Sequence, residues 1–383
     1  MNECPMNGYR MVEGKKLRYG YTTGTCAAAA AKAAAAVVLT GDVEAARSVE
    51  ILTPQGSRLV LTPEDIRRDQ SGASCGVRKD AGDDPDITDG IVVRAEVKKN
   101  RASRIIIRGG PGVGRVTKPG LDPPVGAAAI NRTPLRMIRE NLQGICEKYA
   151  YQGGLTVTIS IPGGEALAQR TFNPKLGIMG GLSILGTSGV VEPKSDDGFI
   201  GAIRAELSVL RAGGKRKALI TPGNYGKDFL SAWGGIVDHT PVTCSNYIGE
   251  TLDIAVEFGF EHLLLVGHIG KLIKLATGNF NTHSKYGDPR LEIFAAYAGL
   301  EGAPRGLIQD ILDSATTEQV LALLGGGKFW EGVKRRILTR IQEQLDHRSG
   351  GKIKTGAVLF STTRGLLGST TGGAALLEQW EGL

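Results

Sequence analysis

Hydrophobic and polar positions alternate along Val49–Thr53 and Arg58–Thr62, on either side of Pro54-Gln55-Gly56, and the pattern predicts a hairpin. Ile91–Val97, Arg104–Arg108 and Thr156–Ile161 read as further strands. Before them all lies an Ala-rich helix, Cys26–Leu39, capped by Thr25 or Thr22, and before the last a Pro-initiated helix, Asn131–Gln143. Phe199–Ala212 is helical, and Gly213-Gly214 is the expected domain junction. Beyond it the rhythm changes. Strands at Lys217–Thr221, His262–Val266 and Thr355–Ser361 alternate with helices at Lys227–Trp233, Ser245–Phe258 and Gly270–Ala276, then several more to Thr371–Trp380. The expectation is an α+β domain over residues 1–212, followed by an α/β domain over 213–383 with a mostly parallel, doubly wound sheet.

In such a sheet, ligands sit at the carboxyl ends of the strands. The loops at Thr221–Gly226, Gly267–Gly270 and Ser361–Gly368 should converge on one edge. On a helical wheel from Gly270 to Ala276, Ile269, Leu272, Ile273 and Ala276 share one face, and His268, Lys271 and Lys274 share the other. The polar loop Asn281-Thr282-His283-Ser284 follows. His268 offers a titratable imidazole, and Lys271 and Lys274 two ammonium groups, to an anion.

Fifty-five glycines and few aromatics imply many close backbone approaches. A net charge of +7, with acids well represented, is too mixed for a nucleic-acid footprint and suits an anionic small molecule. Five scattered cysteines without a Cys-x-x-Cys pair argue against a disulfide framework or a zinc site, and for a reducing cytoplasm. No apolar run reaches the ~18 residues of a membrane span, because Cys26–Leu39 is short and carries Lys32. A homo-oligomer is allowed.

Thr22, Thr23 and Thr25, at the start of the Ala-rich helix, could cradle an anion. The loop Lys79–Gly90 holds five carboxylates but lacks the spacing of a calcium loop. Gly109–Gly120 follows a strand, yet no helix follows it, so the dinucleotide fingerprint fails. Arg132, Arg136 and Arg139 are available to carboxylates. A P-loop reading of Gly267–Lys271 is two residues short, and no Gly-x-Ser-x-Gly elbow is present. A binding module for an anionic ligand, or an enzyme holding a polycarboxylate beside a second substrate, remains.

Gly20-Tyr21-Thr22-Thr23-Gly24-Thr25-Cys26, Lys79–Asp86, Val116–Leu121, Leu176–Thr187, and Gly267–Lys271 with Asn281–Ser284 together resemble the CbiD family, in family order from Arg18 to about Arg290. The resemblance implies a cobalt-precorrin-5B C1-methyltransferase making cobalt-precorrin-6A in anaerobic cobalamin biosynthesis, with S-adenosylmethionine as donor and cobalt entering only inside an anionic corrinoid substrate. Lys271, Lys274, Arg132, Arg136 and the three threonines would then hold substrate acids, and the glycine-rich segments would approach its flat ring. Gly180, Gly181, Thr187, Ser188, Gly267 and Gly270 are the expected donor contacts. Methylation would make the ring lose a proton, and His268 and His283 are then the first candidate bases, with Asp238, Glu192 and the acidic loop behind. The alternative is a corrinoid-binding protein without turnover. The family pattern leads one to expect Glu where Pro111 and Ala127 stand and His where Asp89 stands; with the other motifs intact, those positions are expected not to carry the chemistry.

Overall fold

The computed structural model describes residues 8–12, 14–234 and 240–381. By its internal contacts the chain divides between Asp196 and Asp197.

The first unit is organised around helix α1 (Thr23–Thr40), whose N-cap is Thr22. Strands β1 (Glu64–Arg68), β2 (Ala73–Arg78), β3 (Val92–Asn100) and β4 (Ile106–Gly109) come next, then α2 (Arg132–Lys148), β5 (Gly154–Ser160) and the single turn α3 (Gly164–Ala168). The sheet order is β1-β2-β3-β5-β4, with only the β5–β4 pairing parallel. Every alanine of α1 is buried, sharing one core with Val93, Ala95 and Val97 of β3 and Ile138 and Leu142 of α2. Small side chains let the backbones close in: Cys75 Sγ reaches the Ala30 carbonyl at 3.2 Å. The helix has 18 residues, so the expectation that this stretch is too short to span a membrane is corrected. By length and hydropathy it would pass; 78% of it is buried inside the unit, and Lys32 Nζ donates to the Glu50 carbonyl at 2.8 Å. It is a core helix.

The second unit opens with α4 (Asp196–Ala212), then β6 (Lys217–Thr221), α5 (Asn224–Trp233), β7 (Val242–Thr243), α6 (Ile248–Glu257), β8 (His262–His268) and α7 (Ile269–Leu272). Helices α8 (Arg290–Leu300), α9 (Arg305–Leu312), α10 (Thr317–Leu324) and α11 (Lys328–Ser349) precede β9 (Lys354–Ser361), β10 (Gly365–Ser369) and α12 (Thr371–Glu381). The junction expected at Gly213-Gly214 shifts back by a whole helix, because Ile203 and Leu207 of α4 are buried in the same core as Ile220, Leu252 and Phe260.

The sheet order is β7-β6-β8-β9-β10; the first four strands are parallel, and β10 returns antiparallel. Side chains alternate between faces, as a strand requires. Ile220, Leu263, Leu265 and Leu359 enter the core with α4, α6, α8 and α11, while Leu219, Leu264, Val266 and Phe360 pack with Leu230 of α5 and Leu376 and Trp380 of α12. The chain leaves β6 for one flank and comes back at β8 on the other. That reversal makes the carboxyl ends of β6 and β8 the topological switch point, where open sheets of this kind place ligands.

Candidate functional site

At the end of β8, His268 is the N-cap of α7: its Nδ1 accepts from the Gly270 N–H at 3.0 Å. With Nδ1 accepting, the neutral ring carries its proton on Nε2, which lies 2.9 Å from Glu318 Oε1 and 3.3 Å from Thr362 Oγ1. The ring edge meets Phe360, with centroids 5.6 Å apart. Glu318 stands in the first turn of α10 and also accepts from the Thr362 N–H at 3.0 Å and from the Thr363 hydroxyl. Both imidazole nitrogens are engaged with the protein's own groups. Its partner Glu318 was missed in sequence because it lies 50 residues away, in a helix start that reads as ordinary capping.

Burial is the largest single influence on the Glu318 carboxyl and pushes its pKa up, but Thr363, the Thr362 N–H and His268 together hold it below the ordinary glutamate value. A depressed folded pKa contributes stability above the unfolded value, ~4.3, and loses it as pH falls through the folded one. Thermal melts from pH 6 down to about pH 3 should therefore show a shallower acid limb for Glu318→Gln than for wild type; identical limbs would mean that the contact contributes nothing.

Lys271 Nζ donates to the Pro222 carbonyl at 3.0 Å and the Ser245 carbonyl at 3.5 Å, tying the ends of β6, β7 and β8 together. Burial, more than any neighbour, pushes its pKa below the ordinary lysine value. Lys274 does not share its exposure. The expected helix is one α turn followed by a 3-10 stretch, Ile273–Thr277, and Lys274 is 4% exposed. Its amine donates to the carbonyls of Thr282 (3.2 Å) and Gly287 (3.4 Å) and pairs with Asp288 at 3.5 Å. It is a brace for the Asn281–Asp288 loop, not an anion contact. His283 is exposed and also caps its own turn, Nδ1 accepting from the Lys285 N–H at 3.1 Å. Asp238 lies outside the described residues.

Beside this loop runs an open groove of about 670 Å³, lined by Thr277, Gly278, Asn279 and Tyr286 to Pro289 together with Glu292. The volume suits a small ligand. Glu292 is exposed, with no ion-pair partner among the described residues, and the Tyr286 ring is 52% exposed. The Lys285 ammonium already sits over that ring, 4.8 Å from its centroid, so Glu292 is the group in the groove that favours a further cation.

In the first unit the three threonines grip the protein's own chain. Thr25 Oγ1 donates to the Gly189 carbonyl at 2.6 Å; Thr23 Oγ1 accepts from the Leu185 N–H at 2.9 Å; Thr22 Oγ1 accepts from the Thr25 N–H at 3.2 Å. The cradle is real, but its occupant is the segment Ser183–Gly189. The glycines behave alike. A Cβ on Gly181 would overlap the Gly112 carbonyl, one on Gly267 would lie 2.9 Å from Leu272 Cγ, and one on Gly270 3.1 Å from His268 Nδ1. Ser188 Oγ is taken up by the Val190 carbonyl at 2.8 Å. Gly180 and Thr187 are exposed. Gly181, Ser188, Gly267 and Gly270 thus each meet the protein's own atoms.

The acidic loop is also committed internally: Asp80 to Arg18, Asp83 to the Arg18 N–H, Asp84 to the Lys194 N–H, Asp86 to Lys79, and Asp89 to the Ala81 N–H. Glu192 pairs with Arg10 at 3.1 Å. Arg132 and Arg136 remain at the surface, 87% and 60% exposed.

Two family models match the chain: CbiD over residues 10–193, and the CbiD C-terminal domain over 281–371. A protein of Ruminiclostridium cellulolyticum named cobalt-precorrin-5B C(1)-methyltransferase is 47% identical over 93% of this chain and 92% of its own length. One of the same name from Thermoanaerobacter sp. is 44% identical over 94% and 98%. A crystal structure of the cobalamin biosynthesis protein CbiD from Archaeoglobus fulgidus aligns over 74% of this chain and 88% of its own, with 29% identity and a TM-score of 0.41.

Proposed function

The chain belongs to the CbiD family, and from that membership we propose that it methylates C-1 of cobalt-precorrin-5B in cobalamin biosynthesis. The near-full-length agreement with relatives of that name carries the reading. The donor we propose is S-adenosylmethionine, with cobalt present only as part of the substrate.

Among the described cavities the groove beside Tyr286 and Glu292 fits the donor best, since it offers a carboxylate with no ion-pair partner among the described residues. Glu292 would hold the cationic end and Tyr286 the base, and the bound sulfonium supplies the methyl group. The new carbon–carbon bond draws on ring π electrons while the S–CH₃ pair stays on sulfur, so alignment matters more than charge stabilisation. The methylated ring must then release a proton. With Nδ1 of both histidines engaged, Lys271 is the better acceptor: its amine is half-buried, bonded only to carbonyls, and has a lowered pKa.

The test combines turnover with calorimetry. Isotopically methyl-labelled S-adenosylmethionine should label cobalt-precorrin-5B in a single turnover, and Glu292→Gln should weaken donor binding about tenfold, in line with loss of one charge-assisted contact. Macrocycle binding without donor binding or transfer would instead make the protein a corrinoid carrier.

A further inference from the structure

In the first unit a recess of about 230 Å³ opens between β4, the loop after Asp122 and the start of α2. Ile107, Pro123, Pro124, Ala127, Ile130 and Leu135 give it an apolar lining. One carboxylate, Asp122, is at its rim, and it is already used: it accepts the Arg132 N–H at the start of α2 and pairs with the Arg132 guanidinium at 3.3 Å. The helix's own N-cap, Asn131, makes no side-chain cap bond, so Asp122 does that work.

Past the rim α2 presents a cationic strip. Arg132, Arg136 and Arg139 fall at i, i+4 and i+7, on one helical face and spanning about 10 Å at 1.5 Å per residue. All three are exposed. Arg136 has only Glu140, at 3.9 Å, and Arg139 has no ion-pair partner among the described residues. Val125, next in the chain to Pro124 of the lining, is 56% exposed. An apolar hollow flanked by under-compensated arginines complements a ligand with a greasy edge and acids around it.

The volume narrows the fit. It is below the ~300 Å³ at which pockets begin to enclose a whole small ligand, so the recess takes part of a larger molecule. We propose that it seats one pyrrole edge of the acid-fringed macrocycle, with peripheral carboxylates paired to Arg136 and Arg139 and the Arg132–Asp122 pair closing the end. This assignment rests on the substrate class inferred above.

Cobalt uroporphyrin, a tetrapyrrole rimmed with acetates and propionates, is a usable probe, followed by its absorbance at low and physiological ionic strength. Joint Arg136→Glu and Arg139→Glu substitution should weaken binding about tenfold or more and abolish most of its salt sensitivity. Lysine at both positions should stay within about threefold of wild type. Ala127→Phe, which fills the hollow, should also cost about tenfold while keeping the salt sensitivity. Unchanged melting temperatures establish that each variant is folded. Binding within about twofold of wild type for both the charge-reversed and the filled variants overturns the assignment, as does a wild type that does not bind the probe. The two readings separate cleanly. If the probe binds as described but wild type transfers no methyl group, the recess stands and the reaction falls; if all variants turn over cobalt-precorrin-5B at wild-type KM, the reaction stands and the recess falls.

Discussion

Gly112→Ala should unfold or severely destabilise the first unit while Gly180→Ala leaves it folded. Both glycines have a left-handed φ, +77° and +76°. That conformation alone costs an alanine about 1–2 kcal/mol. The difference is in the surroundings. A Cβ at Gly180 meets nothing within 4 Å, whereas one at Gly112 would overlap the Ile161 carbonyl oxygen and lie 2.8 Å from its carbon. That carbonyl cannot swing aside, because it accepts from the Gly164 N–H at 2.9 Å, and the Ile161 N–H is held by the Pro111 carbonyl at 2.9 Å. Gly164 and Gly181 press on the Gly112 carbonyl in turn, so three glycines interlock. Strain and overpacking together put the loss at about 3 kcal/mol or more, or roughly 6–12 °C in melting temperature for a unit of this size. A folded Gly112→Ala protein that had lost only activity would favour the other view, in which the glycines clear space for a flat substrate.

That contrast shows what could be read in the chain and what could not. The hairpin at Val49–Leu61, β6 at Lys217–Thr221 and the Ala-rich helix follow from local periodicity and propensity, and they lie where the pattern puts them. Strand β7, two residues long, and β10, with glycines at both Gly365 and Gly368, carry too little pattern to detect. The site residues expose a deeper difficulty. Three clustered threonines do signal a need for acceptors, and Gly112 and Gly181 do signal close approach, but sequence cannot tell a ligand from a distant stretch of the same chain. In both cases the partner is the protein's own backbone. The helical wheel fails at Lys274 for the same reason: its acceptors, the Thr282 and Gly287 carbonyls, lie eight and thirteen residues ahead in an irregular loop. Arg132 and Arg136 keep their promise of exposure because a helix surface is set locally.

The acidic loop yields the second large effect, and an asymmetry. Lys79 is buried, 2% exposed at its side chain, and its amine lies 2.6 Å from Asp86 Oδ2; Asp86 is 26% exposed and also accepts from the Thr88 N–H and hydroxyl at 2.8 and 2.7 Å. Removing the carboxylate strands an ammonium in the interior, which costs about 3–5 kcal/mol. Removing the ammonium leaves an acid that water and Thr88 can still solvate. Asp86→Asn should therefore lower the melting temperature by roughly 10 °C, Lys79→Met by far less, and the double variant should recover most of the loss. Burial acts most strongly on the Asp86 carboxyl and pushes its pKa up, yet Lys79 and Thr88 together bring it below the ordinary aspartate value. The stabilisation is thus complete above ~3.9 and fades as pH falls through the lower folded value. In the double variant that fading should vanish. Equal losses for Asp86→Asn and Lys79→Met, with no recovery when they are combined, would mean that the pair is solvated enough for neither charge to depend on the other.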